Sequence, residues 1–219
     1  MSGGVSSITF TARDGGVFVG GRRFAIKGIN WFGAEGKSAT VDGLWERKMT
    51  EYLDDLARLD FNAIRLPLAV DNVLENPEIG RWSLTGDEAL RGLRSLDIVE
   101  RLVAEASARG ILVLLDMHRL HAAVWPDPRG LWYAEGEEPH GARLRQAWHV
   151  LTRRFCSHWN VVGADLFNEP WGATWGSGLA ETDWALAAGS VGNEVLAECP
   201  RWLIFIEGTA YADKPGSVI

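Results

Sequence analysis

The feature that most constrains this chain is an alternation, repeated five times, of short apolar strands and stretches with helical spacing. The strands read as Ala25–Trp31, Phe61–Leu68, Ile111–His118, the run after Asn160 that ends at Glu169, and Trp202–Glu207. Between them, Trp45, Met49, Tyr52, Leu53 and Leu56 recur at helical spacing within Gly43–Leu59. Leu90, Leu93, Leu96, Val99, Leu102 and Val103 do so from about Asp87 to Ser107, where Gly110 ends the helix. Leu144, Trp148, Leu151, Phe155 and Trp159 mark a third helix. Trp184, Ala187, Val191 and Val195 mark a fourth, with Thr182 as its N-cap. The unbroken run Ile111–Leu115 is what a parallel strand covered on both faces needs. Successive βα units imply an α/β fold with a parallel sheet.

The polar residues Asn30, Arg65, His118, Asn168, Glu169 and Glu207 all fall at C-terminal ends of these strands. In a (β/α)₈ barrel that end is the catalytic face. A doubly wound sheet would also place a site there, but no glycine-rich phosphate loop opens the first helix, and no cofactor is implied. Ile8–Phe24, broken by Asp14-Gly15-Gly16 and Gly20-Gly21, reads as a small hairpin before the main body. A loop with Pro126, Pro128 and Gly130 follows the third strand, and Ala212–Ile219 reads as loop. No break in composition divides the chain, so residues 1–219 read as one domain, hairpin about 8–24 and βα units about 25–219.

A net charge of −7 argues against a phosphate backbone as ligand and suits a neutral one. No apolar run approaches the ~20 residues of a membrane span. Met1–Val5 shows no secretion-signal pattern. Cys156 and Cys199 could pair in an oxidising compartment, but two free, mostly buried thiols are the expectation.

The strand Val161–Phe167 runs into Asn168-Glu169-Pro170, and tryptophans follow at Trp171 and Trp175. A carboxylate delivered into an aromatic loop suits an acid that protonates a glycosidic oxygen while rings stack nearby. The bland alternative is a solvated strand-end glutamate. The chain has 11 tryptophans. Trp45, Trp148, Trp159, Trp184 and Trp202 are expected to pack, whereas Trp31, Trp125, Trp132, Trp171 and Trp175 lie beyond strand ends, where a sugar face could cover them. Asp116, His118, His121 and Glu169 admit a metal site, but a carbohydrate-site histidine beside a structural aspartate is the preferred reading. Arg65 is either a site residue or a simple ion-pair partner. Glu207 reads as a polar rim residue rather than a nucleophile.

The ordered set Ile29-Asn30-Trp31-Phe32-Gly33, Gly43-Leu44-Trp45, Ile64-Arg65-Leu66-Pro67, Leu115-Asp116-Met117-His118-Arg119, Leu131-Trp132-Tyr133, Asn168-Glu169-Pro170 and Phe205-Ile206-Glu207-Gly208 resembles the glycoside hydrolase family 5 endoglucanases, or cellulases, from about Gly15 to Tyr211. The resemblance implies a TIM barrel and a retaining cleavage of β-1,4-glucan, with Glu169 as acid/base. It implies further that Asn168 binds the sugar 2-hydroxyl, Arg65 supports the nucleophile and His118 lines the cleaved subsite. Trp31, Trp171, Trp175 and Glu207 are expected to face substrate, with no metal. The family's nucleophile is a glutamate after the seventh barrel strand, and a barrel takes ~250 residues. Here five βα units are read, so an incomplete barrel without its nucleophile, and hence inactivity, is the expectation. Open first and fifth strands suggest self-association. Secretion is implied by the resemblance alone. The alternatives are a non-catalytic β-glucan-binding remnant and a metal-dependent barrel hydrolase.

Overall fold

The computed structural model describes residues 8–209. Met1–Val5 and Ala212–Ile219 lie outside the described residues. Three antiparallel strands, β1 (Phe10–Arg13), β2 (Gly16–Val19) and β3 (Arg22–Phe24), form a meander in place of the simple hairpin expected, because both glycine turns reverse the chain. Asp14 and Gly15 (φ +47° and +64°), and Gly20 and Gly21 (φ +55° and +78°), adopt the left-handed conformations that such tight turns require.

The main sheet has five parallel strands in sequential order: β4 (Gly28–Asn30), β5 (Ala63–Ala69), β6 (Leu112–Arg119), β7 (Val161–Asp165) and β8 (Leu203–Phe205). Sequential parallel order, with a helix between neighbours, is the topology of a (β/α)₈ barrel. The intervening helices are α1 (Met49–Arg58), a short α2 (Val70–Glu75) directly after β5, α3 (Ser95–Ala108), α4 (Ala142–Phe155) and α5 (Trp184–Glu198). The apolar faces of α1 and α3–α5 join the outer face of the sheet in one core, in which Leu53, Leu102, Val113, Leu151 and Val191 are buried.

Several boundaries differ from expectation. The second helix begins at Ser95, not near Asp87, because Gly92 (φ +78°) breaks the chain after Leu90. Trp159 lies beyond α4. Thr182 is not the N-cap of α5; Asp183 is, and its side chain accepts from the amides of Ala185 and Leu186. Asp183 also accepts from Gly176 (3.0 Å) and Gly178 (2.7 Å), so one carboxylate ties the Trp175 loop to the helix start. The Gly178 amide leads in holding its pKa below the usual value.

Cys156 and Cys199 are not free thiols but a disulfide joining residues 43 apart. Each is the C-cap of its helix, α4 or α5, and helix packing brings the two caps together, which sequence spacing does not reveal. Beside it Arg201 donates to the carbonyls of Cys156 (2.6 Å), His158 and Val161 (3.0 Å), closing the entry to β7. At that end of the barrel Phe10 from the meander packs with Ala63 and Leu112, the first residues of β5 and β6, with Val162, the second of β7, and with Val17, Val19, Phe24, Trp159 and Leu203 around them. Among the described residues no helix is long and apolar enough to cross a membrane.

Candidate active site

At the opposite end, side chains from four strands converge on Arg65. Alternation along a strand sends every second side chain inward, and the register pairs Asp116 of β6 with Asp165 of β7. The Arg65 guanidinium donates through Nε to Asp165 Oδ2 (2.9 Å) and through Nη2 to Glu207 Oε1 (2.8 Å) and Asn168 Oδ1 (2.9 Å). Its Nη1 lies 3.0 Å from Asp116 Oδ2 and 3.4 Å from Asn30 Oδ1. The fixed fork of donors suits arginine and not lysine. Because Arg65 requires an acceptor, Asn168 must present Oδ1 to it, which leaves the buried Nδ2 donor without a protein partner.

One cation here faces three carboxylates. Burial pushes Asp116 well above the usual carboxylate range, with Arg65 working against it. Burial, then Asp116 and Glu207, push Asp165 up to about 8. For Arg65, burial opposes the charge, but Asp116, Asp165 and Glu207 together raise its pKa. Asp116 Oδ1 and Asp165 Oδ1 are both buried without a hydrogen-bond partner, and a proton retained on the pair relieves the repulsion between them. His118 Nδ1 lies 2.7 Å from Asp116 Oδ2. Burial, then Arg65, lowers its pKa to about 4, so near neutrality it is a neutral imidazole. Asp116 accepts its Nδ1 proton, which leaves Nε2 as an acceptor. Its ring stacks on Trp125, centroids 5.0 Å apart, and the Arg119 guanidinium lies 4.8 Å from the centroid of that same Trp125 ring, anchored in turn on the buried Glu35 (3.4 Å).

Glu169 follows this cluster. It has φ +44°, a left-handed conformation that is uncommon outside glycine. Its amide donates to Glu207 Oε2 (2.9 Å) and its carbonyl accepts from Trp171 N (2.7 Å). Both Glu207 oxygens are therefore engaged, one by Arg65 and one by the Glu169 main chain. Glu207 holds the turn that presents Glu169.

The tryptophans divide differently from the sequence expectation. Trp125, Trp171 and Trp175 are exposed, at 45%, 41% and 42%. Trp132 is buried at 1% against Trp184 and Tyr133 and faces no cleft, whereas Trp45, expected to pack, is 50% exposed. Trp31 is half-buried, its Nε1 donating to Asp42 O (2.9 Å) and its ring set edge-on to Tyr52. His121, a candidate ligand in the metal reading, lies 3.2 Å from Asp71. Sequence reading missed Asp165 and Glu35 as parts of this end of the barrel. The available signal for Asp165 was a charge inside a fully apolar strand, which demands a partner.

The cellulase family (glycosyl hydrolase family 5) matches residues 21–218, nearly the whole chain. The chain belongs to this family. Among curated relatives, an endoglucanase of Paenibacillus polymyxa is 38% identical over 86% of this chain and 46% of that protein. The major extracellular endoglucanase of Xanthomonas campestris is 36% identical over 86% of this chain and 38% of that protein. Among solved structures, an endocellulase from Pyrococcus horikoshii complexed with cellotetraose superposes with a TM-score of 0.84 at 35% identity, covering 92% of this chain and 57% of that one. The catalytic domain of the Xanthomonas endoglucanase gives 0.79 at 36% identity, covering 86% and 53%. The chain thus spans less than half the length of these curated relatives.

Proposed function

We propose that this chain is part of a single glycosidase domain that cleaves β-1,4-glucan with retention of configuration, with Glu169 as its acid/base. One observation carries the reading: Glu169 stands in a left-handed turn pinned by Glu207, itself held by Arg65, directly before the exposed Trp171 and Trp175. In the first step Glu169 gives its proton to the glycosidic oxygen as a carboxylate attacks the anomeric carbon and the C–O bond breaks. In the second, Glu169 takes a proton from water, which attacks the same carbon and frees the carboxylate. The free Nδ2 of Asn168 is a donor for a sugar hydroxyl, and neutral His118, braced by Asp116 and Trp125, lines the cleft. Trp171 and Trp175 offer stacking surface, while Trp31 contributes chiefly through the wall of its loop.

Glu207 is not the attacking carboxylate in this reading, since Arg65 and the Glu169 amide occupy both of its oxygens. The nucleophile belongs to a seventh barrel strand, and the described strands correspond to the first five. Reducing-sugar release from soluble cellulose tests this. We expect binding of β-glucan by these 219 residues without turnover. Turnover abolished by Glu207→Gln would reassign the nucleophile, and turnover abolished by a chelator would favour metal chemistry. The exposed tryptophans also fit a glucan-binding role without catalysis, for which Glu169→Gln would change nothing in a chain that carries the nucleophile. The inner face of the sheet, with a cavity of about 280 Å³ lined in part by Ile29, Leu114 and Phe205, favours association of the isolated chain. A monodisperse monomer by light scattering would argue against it. The disulfide agrees with an oxidising compartment.

A further inference from the structure

The loop between β6 and α4 and the loop between β7 and α5 meet at two glycines. Gly130 has φ +58°, and a Cβ there would lie 2.5 Å from Cδ2 and Cε2 of Trp171. The Trp171 ring therefore rests directly on Gly130, a contact closed to every other residue type. A Cβ on Gly172 would collide with the Arg129 carbonyl oxygen. Between the two, Gly172 N donates to Gly130 O (3.0 Å). Gly136, in the same loop as Gly130, is different: its φ is +74°, but nothing lies within 4 Å of a Cβ there. Backbone conformation alone accounts for Gly136, whereas Gly130 and Gly172 answer to a neighbour as well.

Both sides of the junction are anchored. Asp127 Oδ1 accepts from Arg129 N (2.9 Å) and Gly130 N (3.2 Å), which shapes the turn that delivers Gly130. Trp132 and Tyr133, just beyond it, are buried, and the Tyr133 hydroxyl donates to Glu181 O (2.8 Å) in the facing loop. On the other side, Trp171 N donates to Glu169 O (2.7 Å). Glu169 is thus held from two directions: its amide by Glu207, and its carbonyl, through Trp171 and Gly172, by the β6–α4 loop. That loop also carries Trp125, which stacks on His118.

We propose that Gly130 and Gly172 are positioning residues, a latch that fixes Trp171 and the Glu169 turn against the loop bearing Trp125. The inference rests on the reading of this end of the barrel as glucan-directed, with Glu169 as acid/base. A cleft whose two loops are already joined spares the cost of ordering them when a chain binds. The test uses the whole chain: ¹H–¹⁵N spectra of the tryptophan indoles, with Trp171→Phe assigning its signal, and calorimetric titration with cellohexaose. Gly130→Ala is expected to displace the Trp171 signal and to weaken cellohexaose binding about fivefold. Gly136→Ala imposes a like backbone strain without the collision and should change neither. Asp127→Ala, which adds no atom, should act in the same direction as Gly130→Ala, and Asp127→Asn, which keeps the acceptor, should restore signal and affinity. If Gly130→Ala loses its cooperative thermal transition, Asp127→Ala decides. An unmoved Trp171 signal in both variants, or an equal effect from Gly136→Ala, would overturn the latch and leave the proposed function standing. An unaltered chain that does not bind cellohexaose would overturn the proposed function, and the inference with it.

Discussion

The two ends of this barrel are built from opposite chemistry. At the N-terminal end, Phe10 of the meander packs with Ala63, Leu112 and Val162, and a disulfide joins the caps of α4 and α5. At the C-terminal end, one arginine holds three carboxylates. The first is indifferent to pH and satisfied by contact area. The second is stable only while its charges are paired, and exchanging any member alters the rest. The difference teaches where this fold can tolerate change: apolar closure degrades gradually, whereas a buried charge cluster fails when one partner is lost.

The largest expected effect comes from removing the central cation. Arg65→Met leaves Asp116, with no exposed side-chain surface, and Asp165 without their counter-charge. A loss of about 3–5 kcal/mol in chemical denaturation is expected, and Arg65→Lys should recover only part of it, since a lysine cannot address all of these acceptors at once. A near-neutral Arg65→Met would break the contrast between the two ends.

Opening the disulfide, by reduction or by Cys156→Ser with Cys199→Ser, should cost about 2–4 kcal/mol and leave the proposed glucan binding at the opposite end intact. Loss of binding with retained fold would show that the ends are coupled. Phe10→Ala should cost about 2–3 kcal/mol, near the lower range for aromatic truncation because the site lies at the margin of the core. Its effect should be the same at every pH in the native range.

The smallest effect is the sharpest test of the charged end. An unfolded aspartate has lost its proton well below neutrality, whereas folded Asp165 keeps its proton up to about 8. Stability from this group therefore falls as pH rises towards 8. His118 acts in the opposite sense: its folded pKa is about 4 against an ordinary 6.5, so stability falls as pH drops through that interval. Between 6.5 and 8 the raised acids Asp165 and Asp116 set the slope, with Asp165 contributing at most about 1.4 kcal/mol per pH unit. Asp165→Asn should flatten that slope in thermal melts. Identical slopes in both proteins would place the proton elsewhere.

Much of this was legible along the chain. Apolar runs of strand length alternating with helical spacing fixed the order of β4 to β8, because each segment must bury a face against its neighbours. The position of Asn168-Glu169-Pro170 at a strand end followed from where the apolar run Val161–Phe167 stops. Local pattern could not say that α2 would form directly after β5, or that Gly92 would delay α3 to Ser95.

The sequence by itself determined which residues stand at strand ends, since periodicity and chain direction are local properties. The tertiary structure decided which of them share a charge and which rings are covered. Arg65 meets Asp165 across 100 residues, Cys156 meets Cys199 across 43, and Trp132 is hidden by Trp184 while Trp45 is left in the open. Each of these outcomes depends on how curvature and helix packing bring distant segments together. Burial and electrostatic coupling act through that distance in space, which no pattern along the chain records.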